Sequence, residues 1–189
     1  MKKIEIELKG TGEGLLMHSA GGMVVQTVKK NPAKQYDPKE DAEKVAYRNE
    51  DGNLMIPSRC IKAAILNAAS WTKFGKKSAK PIIAGCTRIS PSEIELIDHK
   101  NKPIKDYKID LRPVVVQRAR IMRARPLIKE WKLRFDIIYN DVLVSDTEII
   151  RNILEEAGQR VGLLDNRPQT YGENGTFEVT KFLPTGKEI

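Results

Sequence analysis

Four closely spaced arginines are the side chains whose type and spacing most directly indicate chemistry: Arg118, Arg120, Arg123 and Arg125. A guanidinium group pairs with phosphate oxygens through two parallel hydrogen bonds and also stacks on nucleobases. The surrounding stretch 112–134 contains eight Lys and Arg residues and one acidic residue, and its valines and isoleucines favour strands. It therefore predicts a basic sheet face that binds a polyanion.

Strand alternation divides these arginines into two pairs. Side chains two residues apart share a face of a sheet, so Arg118 and Arg120 point together, as do Arg123 and Arg125. Because the two pairs differ in parity, either a β-bulge at 121–122 brings all four to one face or the pairs serve opposite faces. If they split, we expect one pair to be structural.

A structural role is the alternative for the second pair. In that alternative, Arg123 and Arg125 form ion pairs with the acidic helix predicted near 146–156 or with Asp165, and so hold strands together. The chain has a formal net charge of +8, and the locally acidic segments leave positive charge concentrated around the arginines. This polarity indicates a polyanionic partner, although ordinary solubility charge explains it equally well.

Other candidate binding residues lie outside this stretch. Arg59 and Lys62 fall near the start of a predicted helix, where backbone N–H groups and the helix dipole favour an anion. Tyr36 and Tyr171 are available to stack on bases. The aromatic residues expected in the core are Trp71, Trp131 and Phe135. The full set of candidate nucleic-acid-binding residues is His18, Arg59, Lys62, Arg118, Arg120, Arg123, Arg125, Arg160, Arg167 and Tyr171.

The sequence offers little for catalysis or for binding a cofactor. Its only histidines are His18 and His99 and its only cysteines are Cys60 and Cys86, without the spacing of a zinc site. It has no P-loop and no nucleophile elbow. We therefore expect no cofactor, no metal and no enzymatic activity. A lone histidine such as His18 has a structural hydrogen bond as its alternative role.

The cysteines and the N-terminus also bear on location. Two distant cysteines do not make a disulfide framework, which favours a reducing, cytoplasmic compartment. The N-terminal stretch MKKIEIELKG alternates charged with apolar residues, and no apolar run approaches the roughly 20 residues that a membrane span needs. We expect no membrane association.

The order of predicted elements indicates the fold class. We expect one domain over 1–189, with the polar segment 29–52 as an inserted, thumb-like loop that contains a short helix from Pro38. The other predicted elements are a strand around Ile4–Leu8, a helix over 58–71 capped by Ser58, two extended segments over 81–98, strands at 114–122 and 131–139, a helix over 146–157 with a Ser145/Glu148 capping box and Gly158 as its stop, and a strand at 177–182.

This order predicts an α+β fold. It is a ferredoxin-like antiparallel sheet with insertions, in which both helices cover one face. The opposite face of the sheet is then free to bind a ligand.

Two stretches, GNLMIPSRCIKAAILNAAS and AGQRVGLLDNRPQTYGENGTFEV, resemble the repeat-associated mysterious protein (RAMP) superfamily of CRISPR-associated proteins. The stretches LLMHSA, IMRARP and GLLDNRP are also similar to small uncharacterised phage proteins related to that superfamily. The resemblance implies a modified RNA-recognition-like fold with a long insertion after the first strand. It also implies a first helix opened by a proline, small residues and a basic residue, and a glycine-rich loop with basic residues near the C-terminus. The residues in these two roles are Pro57, Ser58, Arg59 and Lys62, and Gly162, Arg167, Gly172 and Gly175. For the glycines, a plain loop with positive φ is an equal alternative.

The resemblance implies a backbone-type subunit that coats single-stranded nucleic acid, RNA in preference to DNA, without catalysis. It also implies a homo-oligomer or a multi-subunit nucleoprotein complex. Some subunits of that group cleave RNA with an aspartate in the loop after the first strand, which makes a metal-dependent ribonuclease using Asp37 one alternative. A phage or plasmid interaction module that binds an acidic protein partner is another.

Overall fold

The computed structural model describes residues 1–18, 36–116 and 118–188. Residues 29–35 of the predicted insertion lie outside these ranges. The helices are α1 (Pro38–Lys44), α2 (Ser58–Ala68), α3 (Lys80–Cys86) and α4 (Glu148–Glu156). The strands are β1 (Lys2–Gly10), β2 (Leu15–Leu16), β3 (Met55–Pro57), β4 (Lys73–Phe74), β5 (Lys77–Ser78), β6 (Thr87–Ser90), β7 (Glu93–Glu95), β8 (Lys108–Val116), β9 (Ala119–Ile128), β10 (Lys132–Tyr139) and β11 (Phe177–Glu188).

The main sheet has four strands in the order β11-β1-β10-β6, and every neighbouring pair is antiparallel. Alternation in β1 gives the sheet one apolar face, because Ile4, Ile6 and Leu8 are buried. Phe135 of β10 lies opposite Ile6 in the register and extends the same buried face. The predicted strands at the N-terminus, at 131–139 and at the C-terminus are therefore confirmed.

Helices α2 and α4 pack on this apolar face. Ile61 and Ile65 of α2, with Ile150 and Ile153 of α4, belong to one buried core with the sheet residues. The chain is thus α+β, with a layer of helices on an antiparallel sheet. The uncovered face of the sheet carries charged side chains instead.

A long hairpin forms a second sheet. Strands β8 and β9 pair continuously from Lys108↔Leu127 to Val116↔Ala119, and β2 pairs with the base of β9. We call residues 108–128 the hairpin arm. The predicted single strand at 114–122 is wrong, because the chain reverses between Val116 and Ala119, with Arg118 at a φ of 69°. The turn lacks the Gly or Asn that usually marks this conformation.

Two helix boundaries differ from the predicted capping. Ser58 makes no side-chain cap, and Pro57 occupies the N-cap position of α2 in an extended conformation. The predicted Ser145/Glu148 capping box is also wrong, since Thr147 is the N-cap of α4 and the Glu148 amide donates to Asp146 at 2.9 Å.

The end of α4 also differs from the prediction. The helix does not stop at Gly158 but continues as a π-helical turn through Ala157–Val161. A Cβ on Gly158 would overlap the carbonyl oxygen of Phe177, so this glycine permits close approach to β11 rather than ending the helix.

The segment predicted as extended at 81–98 begins as a helix. Pro81 lies in the first turn of α3, where its missing N–H removes no helical hydrogen bond. At the other end, the Lys62 ammonium donates to the carbonyl oxygens of Ile83 at 3.0 Å and Ala84 at 3.3 Å. A long-range side-chain cap thus stabilises a helix whose apolar sequence reads like a strand.

Candidate functional site

A cleft lies between α2 and the loop 162–175, which we call the glycine-rich loop. The two stretches on which the family resemblance rests therefore meet in space. The cleft is lined by Cys60, Ala63, Ala64 and Asn67 from α2, and by Val161, Gly162, Leu164 and Arg167. Its small helical residues leave room for a ligand against the loop.

The glycine-rich loop has an unusual backbone. Leu164, Asn166 and Tyr171 have φ values of 61°, 50° and 63°, and Gly162 and Gly175 are also left-handed at 73°. A non-glycine residue in this region costs about 1–3 kcal/mol and persists only where its surroundings impose it. Such strain is concentrated at binding sites in many proteins.

Hydrogen bonds from the loop to Gly14, and others within the loop, impose this conformation. The amide of Gly175 donates to Gly14 at 2.8 Å, and the Asn174 side chain donates to the same carbonyl at 3.3 Å. Asn166 donates to the side chain of Asn174 at 2.7 Å. A Cβ on Gly172 would overlap the Asn166 carbonyl. The loop is therefore held rigidly before any ligand arrives.

Two arginines flank the Cys60 thiol in the cleft. Burial raises the pKa of Cys60, and the nearby positive charges of Arg59 and Arg167 oppose that rise. Arg167 is positioned by the loop itself, since Nη1 donates to Leu164 at 2.8 Å and Nη2 to Gln169 at 3.2 Å. Within the residues that the structure describes, neither Arg59 nor Arg167 pairs with a carboxylate, so both charges are available to an anion.

Aromatic surface accompanies these cations. Tyr171 is fully exposed on the loop, as expected for a stacking residue. Trp131 and Phe135 are buried as predicted, but Trp71 is 47% exposed and does not belong to the core. The Arg160 guanidinium lies 4.3 Å from the Trp71 ring centroid. Helix α2 ends at Ala68, three residues before Trp71, so the helical spacing that predicts a buried Trp71 does not extend to it.

Lys62 has a different role from the phosphate contact predicted for it. Its ammonium group caps α3, and burial lowers its pKa. The group therefore points to the end of α3 rather than to the N-terminus of α2. Of the two cations predicted at the helix opening, Arg59 remains exposed and lies near the Cys60 thiol.

Arg125 is structural, as the alternative proposed. The side chain is buried near the base of the hairpin arm, where Nη2 donates to Asp110 at 3.0 Å and Nη1 to Asp165 at 2.7 Å. Asp110 also accepts from Arg112 at 2.7 Å. The predicted ion pair with Asp165 is confirmed, and it connects the arm to the glycine-rich loop.

The other arginines of the hairpin arm are divided by its register. Because β8 and β9 pair without a shift, there is no bulge at 121–122, and Arg120 lies on the opposite face from Arg123. Arg118 lies in the turn. Arg118 and Arg120 are exposed and make no ion pair within the described part of the chain, whereas Arg123 is half-buried.

The arginines do not lie on the uncovered face of the main sheet, where the sequence pattern led us to expect a basic surface. That face is a network of ion pairs. Lys3 contacts Asp136 at 3.2 Å, Arg134 contacts Glu7 at 2.6 Å, and Lys181 contacts Glu5 at 2.8 Å. Since acidic and basic groups neutralise one another there, a polyanion gains little from this face.

Asp37 and His18 complete the candidate residues. Asp37 caps α1, accepting from the Lys39 amide at 2.8 Å, and Asp41 accepts from the Ala124 amide at 3.0 Å on the open edge of β9. No group of three or more potential metal ligands occurs among the residues described. His18 is half-buried just beyond β2, whose Leu16 bridges to Asp165 of the glycine-rich loop.

Comparison with protein-family models and with curated proteins gives no match for this chain. Across 1–18, 36–116 and 118–188, no helix is both long and apolar enough to cross a membrane.

Proposed function

We propose that this chain binds single-stranded nucleic acid, RNA in preference to DNA, and does so without catalysis. The observation that carries the proposal is that Arg59 and Arg167 both lie near the Cys60 thiol, which lines the cleft. Both guanidinium groups lack an acidic partner in the described residues, and the loop that positions Arg167 is rigid before binding. Phosphates placed between them gain charge-assisted hydrogen bonds, and Tyr171 offers a stacking surface to a base.

The hairpin arm supplies a second basic surface for the same strand. Arg118 and Arg120 are exposed on it, and Arg112 is also largely exposed despite its contact with Asp110. Its base is tied to the glycine-rich loop through Arg125 and Asp165. A nucleic-acid strand that runs from the cleft toward the arm stays close to positive charges. Contacts of this kind follow the backbone and tolerate sequence changes.

We propose a ferredoxin-like arrangement and membership of the RAMP superfamily as the context of this function. The strand order β11-β1-β10-β6, with α2 before β6 and α4 before β11, supports the arrangement. The meeting of α2 with the glycine-rich loop supports the family relationship. On this view the protein works in the cytoplasm, and copies assemble side by side along the strand.

A second candidate function is contact with an acidic protein partner. The face of the arm that carries Arg120 also exposes apolar side chains, namely Leu111 at 44%, Val115 at 69% and Met122 at 45%. Apolar groups beside a cation are typical of a protein interface. A strand of nucleic acid needs the cation but not the aliphatic surface.

Fluorescence anisotropy with labelled single-stranded RNA, single-stranded DNA and duplex RNA at several salt concentrations tests the proposal. We expect RNA single strands to bind most tightly, with log K falling linearly against log salt concentration by about 0.7 per phosphate contacted. Absence of binding at low salt would overturn the proposal. Binding only to an acidic protein partner, with no nucleic acid bound, would favour the second candidate.

A further inference from the structure

Trp71 and Arg160 form a stacked pair on the surface. The phosphate contacts proposed for Arg59 and Arg167 do not involve this pair. The guanidinium carbon lies 4.3 Å from the centroid of the indole ring. Glu156 accepts from Nη1 of Arg160 at 3.1 Å. The guanidinium is therefore oriented both by the Trp71 ring and by the Glu156 carboxylate. With 56% of the Arg160 side chain and 47% of Trp71 exposed, the outer face of the stack is open to solvent.

Both residues of the pair are close in sequence to residues that line the cleft. Arg160 directly precedes Val161 and Gly162, which line the cleft. Trp71 follows the end of α2, where Asn67 lines the cleft and donates to Gln169 of the glycine-rich loop at 3.3 Å. A nucleic-acid strand held at Arg167 therefore has the planar surface of the Trp71–Arg160 stack beside it.

The exposure of Trp71 is informative because the chain buries its other tryptophan. Trp131 is only 2% exposed, as expected for a large apolar side chain that gains from leaving water. Trp71 instead keeps nearly half of its surface in solvent beside a cation. An arginine on an aromatic ring presents a planar, weakly hydrated surface on which a nucleobase stacks.

We propose that Trp71 and Arg160 form a stacking site for one nucleobase of the strand bound in the cleft, a proposal that rests on the proposed function. The base lies on the outer face of the guanidinium and extends the indole–guanidinium stack. Glu156 holds the guanidinium plane and lowers its net charge, so the site selects a π-surface rather than a phosphate. Every base has such a surface, so the site is tolerant of sequence.

The test compares oligouridylate with an abasic ribose-phosphate oligomer of equal length. Both carry the same phosphates, but only the first has bases to stack. Oligouridylate should change the tryptophan emission of the wild-type protein, because a base on the guanidinium alters the surroundings of the partly exposed Trp71 ring, whereas Trp131 is buried. The abasic oligomer should bind more weakly and leave the emission unchanged. Trp71→Leu should weaken oligouridylate binding about tenfold and leave abasic binding nearly constant.

Arg160→Lys is the matched variant because it keeps the charge and removes the planar group. We expect it to weaken oligouridylate binding and to leave abasic binding unchanged, with a melting temperature equal to that of the wild type. If both variants bind oligouridylate like the wild type, stacking is overturned while nucleic-acid binding stands. If neither oligomer binds the wild-type protein at low salt, the proposed function and the stacking site both fail.

Discussion

Arg125 and Asp165 join the hairpin arm to the glycine-rich loop, with Nη1 of the arginine 2.7 Å from Oδ2 of the aspartate. Asp110 accepts from the other terminal nitrogen at 3.0 Å and is itself buried. One guanidinium thus ties a strand of the arm to a neighbouring strand and to the loop beside the cleft. The position of the arm relative to the cleft is therefore set by a buried ionic contact.

Replacing this guanidinium should destabilise the protein. In Arg125→Met, Asp110 stays buried with only Arg112 as its cationic partner, and we expect the free energy of unfolding to fall by about 2 kcal/mol. Urea unfolding followed by circular dichroism measures the change. Arg120→Met on the same strand is the matched control and should stay within about 0.5 kcal/mol of the wild type. Equal losses in the two variants would contradict the structural role of Arg125.

The rigidity of the glycine-rich loop depends on the close approach at Gly172. In Gly172→Ala the new methyl group would overlap the Asn166 carbonyl, so we expect a loss of about 1–3 kcal/mol in unfolding free energy and weaker RNA binding. Gly85→Ala is the control, because a Cβ there meets no atom within 4 Å and Gly85 lies in α3. That variant should be as stable as the wild type or more so.

Asp37 should matter for helix α1 rather than for cleavage. Asp37→Ala removes the side-chain acceptor of the Lys39 amide, and we expect a loss of about 1 kcal/mol, while Asp37→Asn retains most of the stability. Thermal unfolding of the three proteins gives the comparison. RNA cleavage by the wild type that requires a divalent cation, and that both variants lose, would instead establish the ribonuclease alternative.

Acid should weaken the contact between Glu43 and Arg48. The hydrogen bond from Arg48 lowers the pKa of Glu43 below its ordinary value of 4.5, and Nη2 of Arg48 lies 3.1 Å from Oε2. A carboxyl whose pKa is lower in the folded state stabilises the fold above its unfolded pKa. We expect this contribution to disappear as the pH falls below 4.5 through the folded-state pKa.

Glu43→Gln provides the comparison for that pH dependence. The variant should be less stable than the wild type at neutral pH, and the difference should shrink as the solution becomes acidic. Urea unfolding at a series of pH values measures both curves. A difference that stays constant between neutral and acidic pH would show that the charge of Glu43 contributes nothing to stability.

Local patterns predicted the main sheet well because its strands have one buried and one charged face. The alternation of Ile4, Ile6 and Leu8 with charged residues is confirmed by their burial. The hairpin turn at Arg118 was not predictable in this way, since no Gly or Asn precedes the left-handed residue. Helix α3 was not predicted because the residue that caps its end, Lys62, is distant in sequence.

The candidate site was predicted in part for a similar reason. Residue type identified Arg59, Arg167 and Tyr171 as binding candidates, and the fold places the first two beside Cys60. Residue type could not separate Arg125 from Arg120, because the distinction lies in the acidic groups that the fold brings to one of them. Likewise, helical spacing predicts Trp71 in the core, but α2 ends before Trp71 and the side chain lies at the surface.

The most direct test of nucleic-acid binding in the cleft is the salt dependence of single-stranded RNA affinity in Arg59→Gln/Arg167→Gln. Lys100→Gln/Lys102→Gln is the control, since it removes the same charge from an exposed turn. We predict that the arginine variant binds much more weakly and that its slope of log K against log salt is shallower by about 1.4, for two lost phosphate contacts. Equal affinities and slopes in the two variants would contradict binding in the cleft.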